Sequence, residues 1–330
     1  MNQPPTRTRV FARLSPTVAT RPDSRWGRFK PLLRLVRMAF LVIALALASW
    51  LGFSAWLARH YVARPALPYP EPAPALDWVT LDEARLTSAD GERVGFWFAP
   101  AAHAAADAPT VLSLHGNTGD RGSMLPVLKL FHDAGFPTAA ITFRAHGDST
   151  GDYNDIGYGG RLDVLAAVAE IERRRPGKPI VIQGSSLGAA AAIYAARDLG
   201  PRVKGYILEC PFRDITTAVE NRLRLTLPWG ARQAVEEGLR LLAPAMIPTL
   251  DHMKPIDAIG TMPADVPVLM ISGGRDRLAT PAESVALHAK IADRAELHFF
   301  EDAGHDLYAR HDPVRYRSLT VPFVQKAARR

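Results

Sequence analysis

The sequence predicts an α/β protein with a mostly parallel central sheet of about eight strands flanked by helices, and three observations carry that expectation. Short apolar, β-branched runs recur along residues 83–300, the composition of strands covered on both faces. Helix-favouring segments alternate with these runs, the pattern of parallel sheets wrapped by helices. Finally, the run Pro179-Ile180-Val181-Ile182 passes through Gly184-Ser185-Ser186-Leu187-Gly188 into an alanine-rich stretch, so that a serine stands at a sharp strand-to-helix turn.

The elements follow in order from the N-terminus. Residues 1–37 hold nine Lys or Arg and one Asp and read as a basic cytoplasmic tail. Residues 38–58, MAFLVIALALASWLGFSAWLA, carry no charge and match the roughly 20 helical residues of one bilayer crossing. This stretch is longer than the apolar core of a cleaved signal peptide, which predicts a transmembrane signal anchor. Basic residues before the span predict a single-pass inner-membrane protein with its N-terminus cytoplasmic and the rest periplasmic. The net charge is +7, but residues 38–330 sum to −1, so the basic bias belongs to the tail. No nucleic-acid module accompanies it, and no nucleic-acid partner is expected. Residues 59–76 contain five spaced prolines, Pro65 to Pro74, and predict an extended linker.

Residues 77–330 form the expected main domain. Strands are predicted at 83–88 and 93–98, joined by the turn 89–92, then at 110–114, 138–143, 179–183, 203–209, 266–272 and 295–300. Helices are predicted at about 121–134, 159–174 and 187–198. Residues 211–262 interrupt the alternation with a possible amphipathic segment at 231–242, broken up by Pro228, Pro244, Pro248 and Pro255, and are expected to form a cap insertion. Leu225, Leu227, Trp229, Leu241, Met246 and Ile247 are its candidate acyl-pocket residues. Cys210 is the only cysteine, so no intramolecular disulfide is possible, and its place at a strand end predicts a buried structural thiol.

Ser186 is the candidate nucleophile. Gly184 and Gly188 remove side chains that would crowd a serine in strained backbone geometry, and the Leu187 amide, at the start of the next helix, is aimed where an oxyanion forms. A serine nucleophile requires a base and a group to orient that base. Asp276 follows the strand 266–272 and His305 follows the strand 295–300, which makes them the candidate acid and base. Asp251, in a proline-rich stretch, and Asp306, adjoining the histidine, are weaker competitors. A second Gly-x-Ser-x-Gly string, 147–151, is followed by polar turn residues instead of a helix, so Ser149 reads as a loop residue.

The order Ser, Asp, His and the loop His115-Gly116-Asn117-Thr118-Gly119 after the strand 110–114 resemble the α/β-hydrolase superfamily. The loop looks like the His-Gly-Asn-x-Gly oxyanion loop of a membrane-anchored, serine-aminopeptidase-like branch. That resemblance implies an oxyanion hole formed by the amides of Asn117 and Leu187, with His115 and Gly116 shaping the loop. Together with the anchor and the apolar cap, these residues lead to the expectation of a membrane-anchored serine hydrolase that cleaves carboxylic ester or thioester bonds through an acyl-enzyme. The expected substrate is a small or lipid-like acyl compound. A serine peptidase on the same fold, or a non-catalytic tethered binding protein, are the alternatives. No Cys/His metal spacing or phosphate-binding glycine loop is present, and neither metal nor organic cofactor is expected.

Overall fold

The structure, a computed structural model, describes residues 1, 29–101, 105 and 107–329. Most of the basic tail expected over 1–37 therefore lies outside the described residues. Two compact units are present, Met1–Ser49 and Trp50–Arg330. Helix α1 (Lys30–Val62) begins in the first. It is longer than the expected span 38–58 at both ends, where Leu, Arg and Lys extend the helix readily. Among the described residues it is the one helix long and apolar enough to cross a membrane, and its most apolar window is wholly unburied within the chain.

The second unit is built on an eight-stranded sheet in the order β1-β2-β4-β3-β5-β6-β7-β8. The strands are β1 (Asp82–Thr87), β2 (Arg93–Ala99), β3 (Thr110–Leu114), β4 (Thr138–Thr142), β5 (Ile180–Ser185), β6 (Gly205–Glu209), β7 (Val268–Gly273) and β8 (Ala295–Phe300). β2 is antiparallel to both β1 and β4; every other pair is parallel. Each residue of β3, β4, β5, β6 and β7 is buried, which explains why these runs lack the alternation of a half-exposed strand.

The remaining helices are α2 (Leu125–His132), α3 (Gly160–Arg174), α4 (Leu187–Leu199), α5 (Ile215–Thr226), α6 (Trp229–Met246), α7 (Pro255–Ala258), α8 (Pro281–His288), α9 (Tyr308–His311) and α10 (Pro313–Ala327). α3, α4 and α8 pack on one face of the sheet with Leu112, Ile182 and Leu208. α2, α9 and α10 pack on the other with Val111, Val181 and Ile207. Neighbouring residues of one strand thus feed opposite cores, the period-two geometry of a sheet. Between β6 and β7, residues 211–262 are helical and contain no strand. Pro244 lies inside α6 and does not end it before Met246.

Strands β4 and β5 lie on opposite sides of β3. Connections leaving β3 and β5 therefore diverge, and a crevice opens at their carboxyl ends, where ligands bind in open α/β sheets. Ser186 and the loop 115–119 both stand at this point.

The proline-rich segment 64–81 has no helix, and its chain is bound along the body. Arg64 donates to the Ser149 and Gly151 carbonyls, each at 2.9 Å, and to that of Gly147 at 2.5 Å. Glu71 pairs with Arg121, a fully buried guanidinium that also meets both oxygens of Asp148. Ser149 is buried in this network, donating to Thr142 O at 2.6 Å and accepting from Gly95 N at 3.0 Å.

Candidate active site

Ser186 sits between the end of β5 and the start of α4 with φ 52° and ψ −108°. For a residue with a Cβ such a conformation costs on the order of 1–3 kcal/mol and persists only where its surroundings enforce it. Here the Ser186 amide donates to Glu209 O on β6 at 2.8 Å, and its carbonyl accepts from Ala190 N at 3.0 Å. The flanking glycines are required sterically, but their neighbours are backbone and not the serine. A Cβ on Gly184 would stand 2.5 Å from the Gly188 carbonyl, and one on Gly188 would stand 2.4 Å from Leu114 O. The turn is thus wedged against β3, which fixes where Oγ points.

The structure brings Ser186, His305 and Asp276 together. His305 Nε2 lies 3.0 Å from Ser186 Oγ, and His305 Nδ1 lies 2.7 Å from Asp276 Oδ2. The second carboxylate oxygen, Oδ1, accepts from the amides of Leu278 at 2.8 Å and Ala279 at 2.9 Å, so the carboxylate cannot rotate without losing two bonds. A carboxylate at Nδ1 keeps the proton on that nitrogen and leaves Nε2 free to accept from the serine hydroxyl. Burial alone would lower the His305 ring, but the Cys210 sulfur and the Asp276 carboxylate beside it outweigh burial and raise it above the ordinary imidazole value. Neither competing acid pairs with His305: Asp251 is exposed beside Lys254, and Asp306 is exposed, lies 3.8 Å from His311 and accepts from the Leu307 amide.

The loop after β3 abuts the elbow, since a side-chain carbon on Gly116 would meet the Ser186 Cβ at 3.5 Å. Gly116 and Gly119 close a turn through a 3.1 Å bond, and Thr118 at its corner has φ 66°. His115 is fully buried, and its ring is lowered to about 3, first by burial and then by the nearby His146. It is therefore neutral, with Nδ1–H donating to Gly116 O at 2.7 Å and Nε2 accepting from Phe143 N at 3.0 Å, which ties the loop to the end of β4. Asn117 is held from outside by Asn154 Nδ2 on its Oδ1 at 2.8 Å. Among the described residues the Asn117 and Leu187 amides have no backbone acceptor, leaving two donors beside Ser186.

Two cavities meet at Ser186. An open cleft of about 440 Å³ is lined by polar groups including Thr118, Ser123, Asp306 and Arg310. A narrow cavity of about 40 Å³ is lined by Tyr61, Ile156, Phe212, Ile215, Ala218 and Val219. Arg222 of α5 lines both. Its Nη1 donates to Ala218 O at 2.9 Å, and burial lowers its pKa, against the pull of Tyr61, Asp276 and Glu283. No feature of the sequence singles it out, because one arginine in an arginine-rich helix becomes distinctive only through what it faces. Of the residues expected to form an acyl pocket, Leu225, Trp229 and Leu241 are 39%, 68% and 62% exposed and line neither cavity. They lie on the outer faces of α5 and α6.

Sequence reasoning also missed a buried polar cluster beneath the elbow. Glu209, whose carbonyl holds the Ser186 amide, is wholly buried and accepts at Oε1 from Tyr316 Oη at 2.5 Å and Gln183 Nε2 at 2.9 Å. Burial pushes its carboxyl up to about 7 against those two bonds. Cys210, next in sequence, is buried with φ 38°, and its sulfur lies 3.7 Å from Ser185 Oγ.

Residues 106–258 match the family described as serine aminopeptidase, S33. That stretch contains Ser186 and the 115–119 loop, whereas Asp276 and His305 lie beyond it. Protein bem46 of Schizosaccharomyces pombe is 26% identical over 203 residues, 60% of this chain and 62% of its own length. Lysophosphatidylserine lipase ABHD12 of Gallus gallus is 32% identical over 143 residues, 42% of this chain and 36% of its own. The chain thus spans less than two thirds of these curated relatives. Among solved structures, the Pyrococcus furiosus esterase Pf2001 superposes with a TM-score of 0.61 at 22% identity, covering 78% of this chain and 98% of that one. The Pyrococcus horikoshii acylaminoacyl peptidase superposes with a TM-score of 0.58 at 16% identity, covering 75% of this chain and 41% of that one. With its sheet order and its serine elbow the chain has the α/β-hydrolase fold, and the family match runs across that elbow.

Proposed function

We propose that this protein is a membrane-anchored serine hydrolase that cleaves carboxylic esters of lipid-like substrates, with Ser186 as nucleophile, His305 as base and Asp276 as its orienting acid. The observation that carries the reading is the unbroken chain of bonds from Ser186 Oγ to His305 to Asp276 and on to two backbone amides. In the first half-reaction Oγ attacks the ester carbonyl while its proton passes to His305 Nε2. The amides of Asn117 and Leu187 hold the resulting oxyanion, and each such donor is worth roughly 10²–10³ in rate. His305 then gives its proton to the departing alkoxide, leaving an acyl-Ser186. Water, deprotonated by His305, attacks that acyl group; the carboxylic acid leaves and Oγ regains its proton. The thioester reaction follows the same course.

Several features support an ester of an amphiphile over a peptide. The cleft at Ser186 has a polar side and an apolar side, and Arg222, which lines both and whose Nη1 donates to the Ala218 carbonyl, suits a substrate that carries an anionic group. The esterase and lipase names among the relatives agree with this reading. Among the described residues the cleft has Asp306 but no cluster of acids to receive the free amino terminus that an aminopeptidase substrate presents. Helix α1, preceded by basic residues, supports a single-pass inner-membrane location with the catalytic unit periplasmic.

A fluorophosphonate probe tests the chemistry. Wild type should label and Ser186→Ala should not; labelling that persists in Ser186→Ala would overturn the assignment. Hydrolysis of monoacyl glycerophosphate esters, neutral monoacylglycerols and aminoacyl amides by the full chain then compares the substrate classes. Faster cleavage of the amides than of either ester would favour the peptidase reading.

A further inference from the structure

The narrow apolar cavity beside Ser186 shares three of its walls, Tyr61, Ile215 and Val219, with a second cavity of about 340 Å³. That second cavity lies between the last two turns of α1 and the helices α5 and α6. Ala58, Val62, Leu239, Ala243, Ile247 and Leu250 supply most of its apolar lining. We propose that the end of α1 forms one wall of an alkyl-chain pocket entered from Ser186 past Tyr61, so that the anchoring helix itself selects the acyl chain of the substrate. This inference rests on the ester-hydrolase reading and deepens it.

Three observations carry it. First, the wall is firmly built: Ala58 and Val62 are buried at 1% and 5% exposure, and Trp50 Nε1 donates to Ala234 O on α6 at 2.7 Å. Gly238 of α6 lies so close to α1 that a Cβ there would stand 2.0 Å from Ser54 Oγ. Second, its volume falls within the roughly 300–1,000 Å³ of small-molecule sites, and its lining is of the apolar kind that such sites use. An apolar cavity gains little from water, whereas burying each methylene of a chain there is worth about 0.8 kcal/mol. Third, the other cavity at Ser186 is open and carries the polar side chains of Ser123, Thr118, Asp306, Arg222 and Arg310 beside Met124, Leu278 and Leu307, a lining that can receive the polar part of an amphiphile. The chemistry these walls recognise is therefore an ester amphiphile, with an alkyl chain against α1 and its polar part in the open cleft.

Full-length protein in phosphatidylcholine nanodiscs tests this with p-nitrophenyl laurate and p-nitrophenyl acetate. Ala58→Phe and Ala243→Phe fill the pocket from its two sides, and each should lower the laurate-to-acetate ratio of kcat/KM by about tenfold or more, the discrimination a pocket shows for small changes in apolar volume. Retained fluorophosphonate labelling verifies that each variant is folded. A ratio within about twofold of wild type in a variant that labels overturns the chain pocket while leaving the hydrolase assignment intact. Failure of wild type to label or to cleave acetate instead removes the hydrolase reading itself. A second readout needs no turnover: the Ser186→Ala chain should bind the fluorescent fatty acid parinaric acid, and Ala243→Phe in that background should weaken binding by about tenfold. Equal binding by the two chains would also overturn the proposal.

Discussion

Asp276→Asn is the sharpest perturbation of the proposed triad, because the surroundings of the carboxylate dictate how an amide would sit. Oδ1 receives two backbone amides, from Leu278 and Ala279, and an asparagine would place its carbonyl oxygen there to keep both bonds. Its Nδ2 then occupies the position of Oδ2, 2.7 Å from His305 Nδ1. Two donors cannot face each other, so the imidazole moves its proton to Nε2 and donates from it. A ring in that tautomer cannot take the Ser186 proton. The same exchange in a serine-protease triad lowers kcat by about 10⁴, equivalent to about 5.4 kcal/mol in the barrier, and a loss of that order is expected here. It should fall on kcat and spare KM, because Asp276 is buried behind the histidine and lines neither cavity at Ser186. Steady-state hydrolysis of p-nitrophenyl acetate reads both constants, and the rate of fluorophosphonate labelling should fall in parallel. A kcat within about tenfold of wild type, or an equal loss in Asp306→Asn, would refute the assignment of Asp276.

Two further outcomes follow from the same geometry. His305 acts as a base only when neutral, and its pKa is raised above 6.5, so kcat/KM should rise with pH through a midpoint above 6.5; a midpoint at or below that value in a pH–rate profile would contradict the pairing with Asp276. Arg121→Met should destabilise the catalytic unit, since it leaves the Glu71 and Asp148 carboxylates, 7% and 8% exposed, without their buried partner. Breaking such a pair costs about 3–5 kcal/mol, which a thermal melt should register as a fall on the order of 10 °C.

Much of this molecule is legible in the sequence because it is local. All eight strands begin and end within two residues of the bounds the sequence predicts, and β3 to β7 are the plainest because a strand buried on both faces is apolar nearly throughout. Ser186, Asp276 and His305 could be singled out for a related reason: each follows one of those runs, and parallel strands carry their following loops to one end of the sheet. The pocket was read less well. Of the six residues expected to line it, Ile247 does line the larger cavity, but Leu225, Trp229 and Leu241 face outward, because helical spacing alone does not say which side of α5 or α6 meets the body. The residues that do line the larger cavity include Ala58 and Ala243, far apart in sequence and individually unremarkable in type.

The sequence by itself determined the alternation of strands and helices, the strained serine turn and the apolar N-terminal helix, because each follows from periodicity, propensity or steric demand within a short stretch. Tertiary structure decided the rest. The placement of β4 and β5 on either side of β3 sets the crevice beneath which Asp276 meets His305. The docking of the end of α1 on α6 turns an apolar helix into the wall of a cavity. Bonds and cavities of this kind join segments dozens to hundreds of residues apart, and no local preference of the chain encodes which of them will meet.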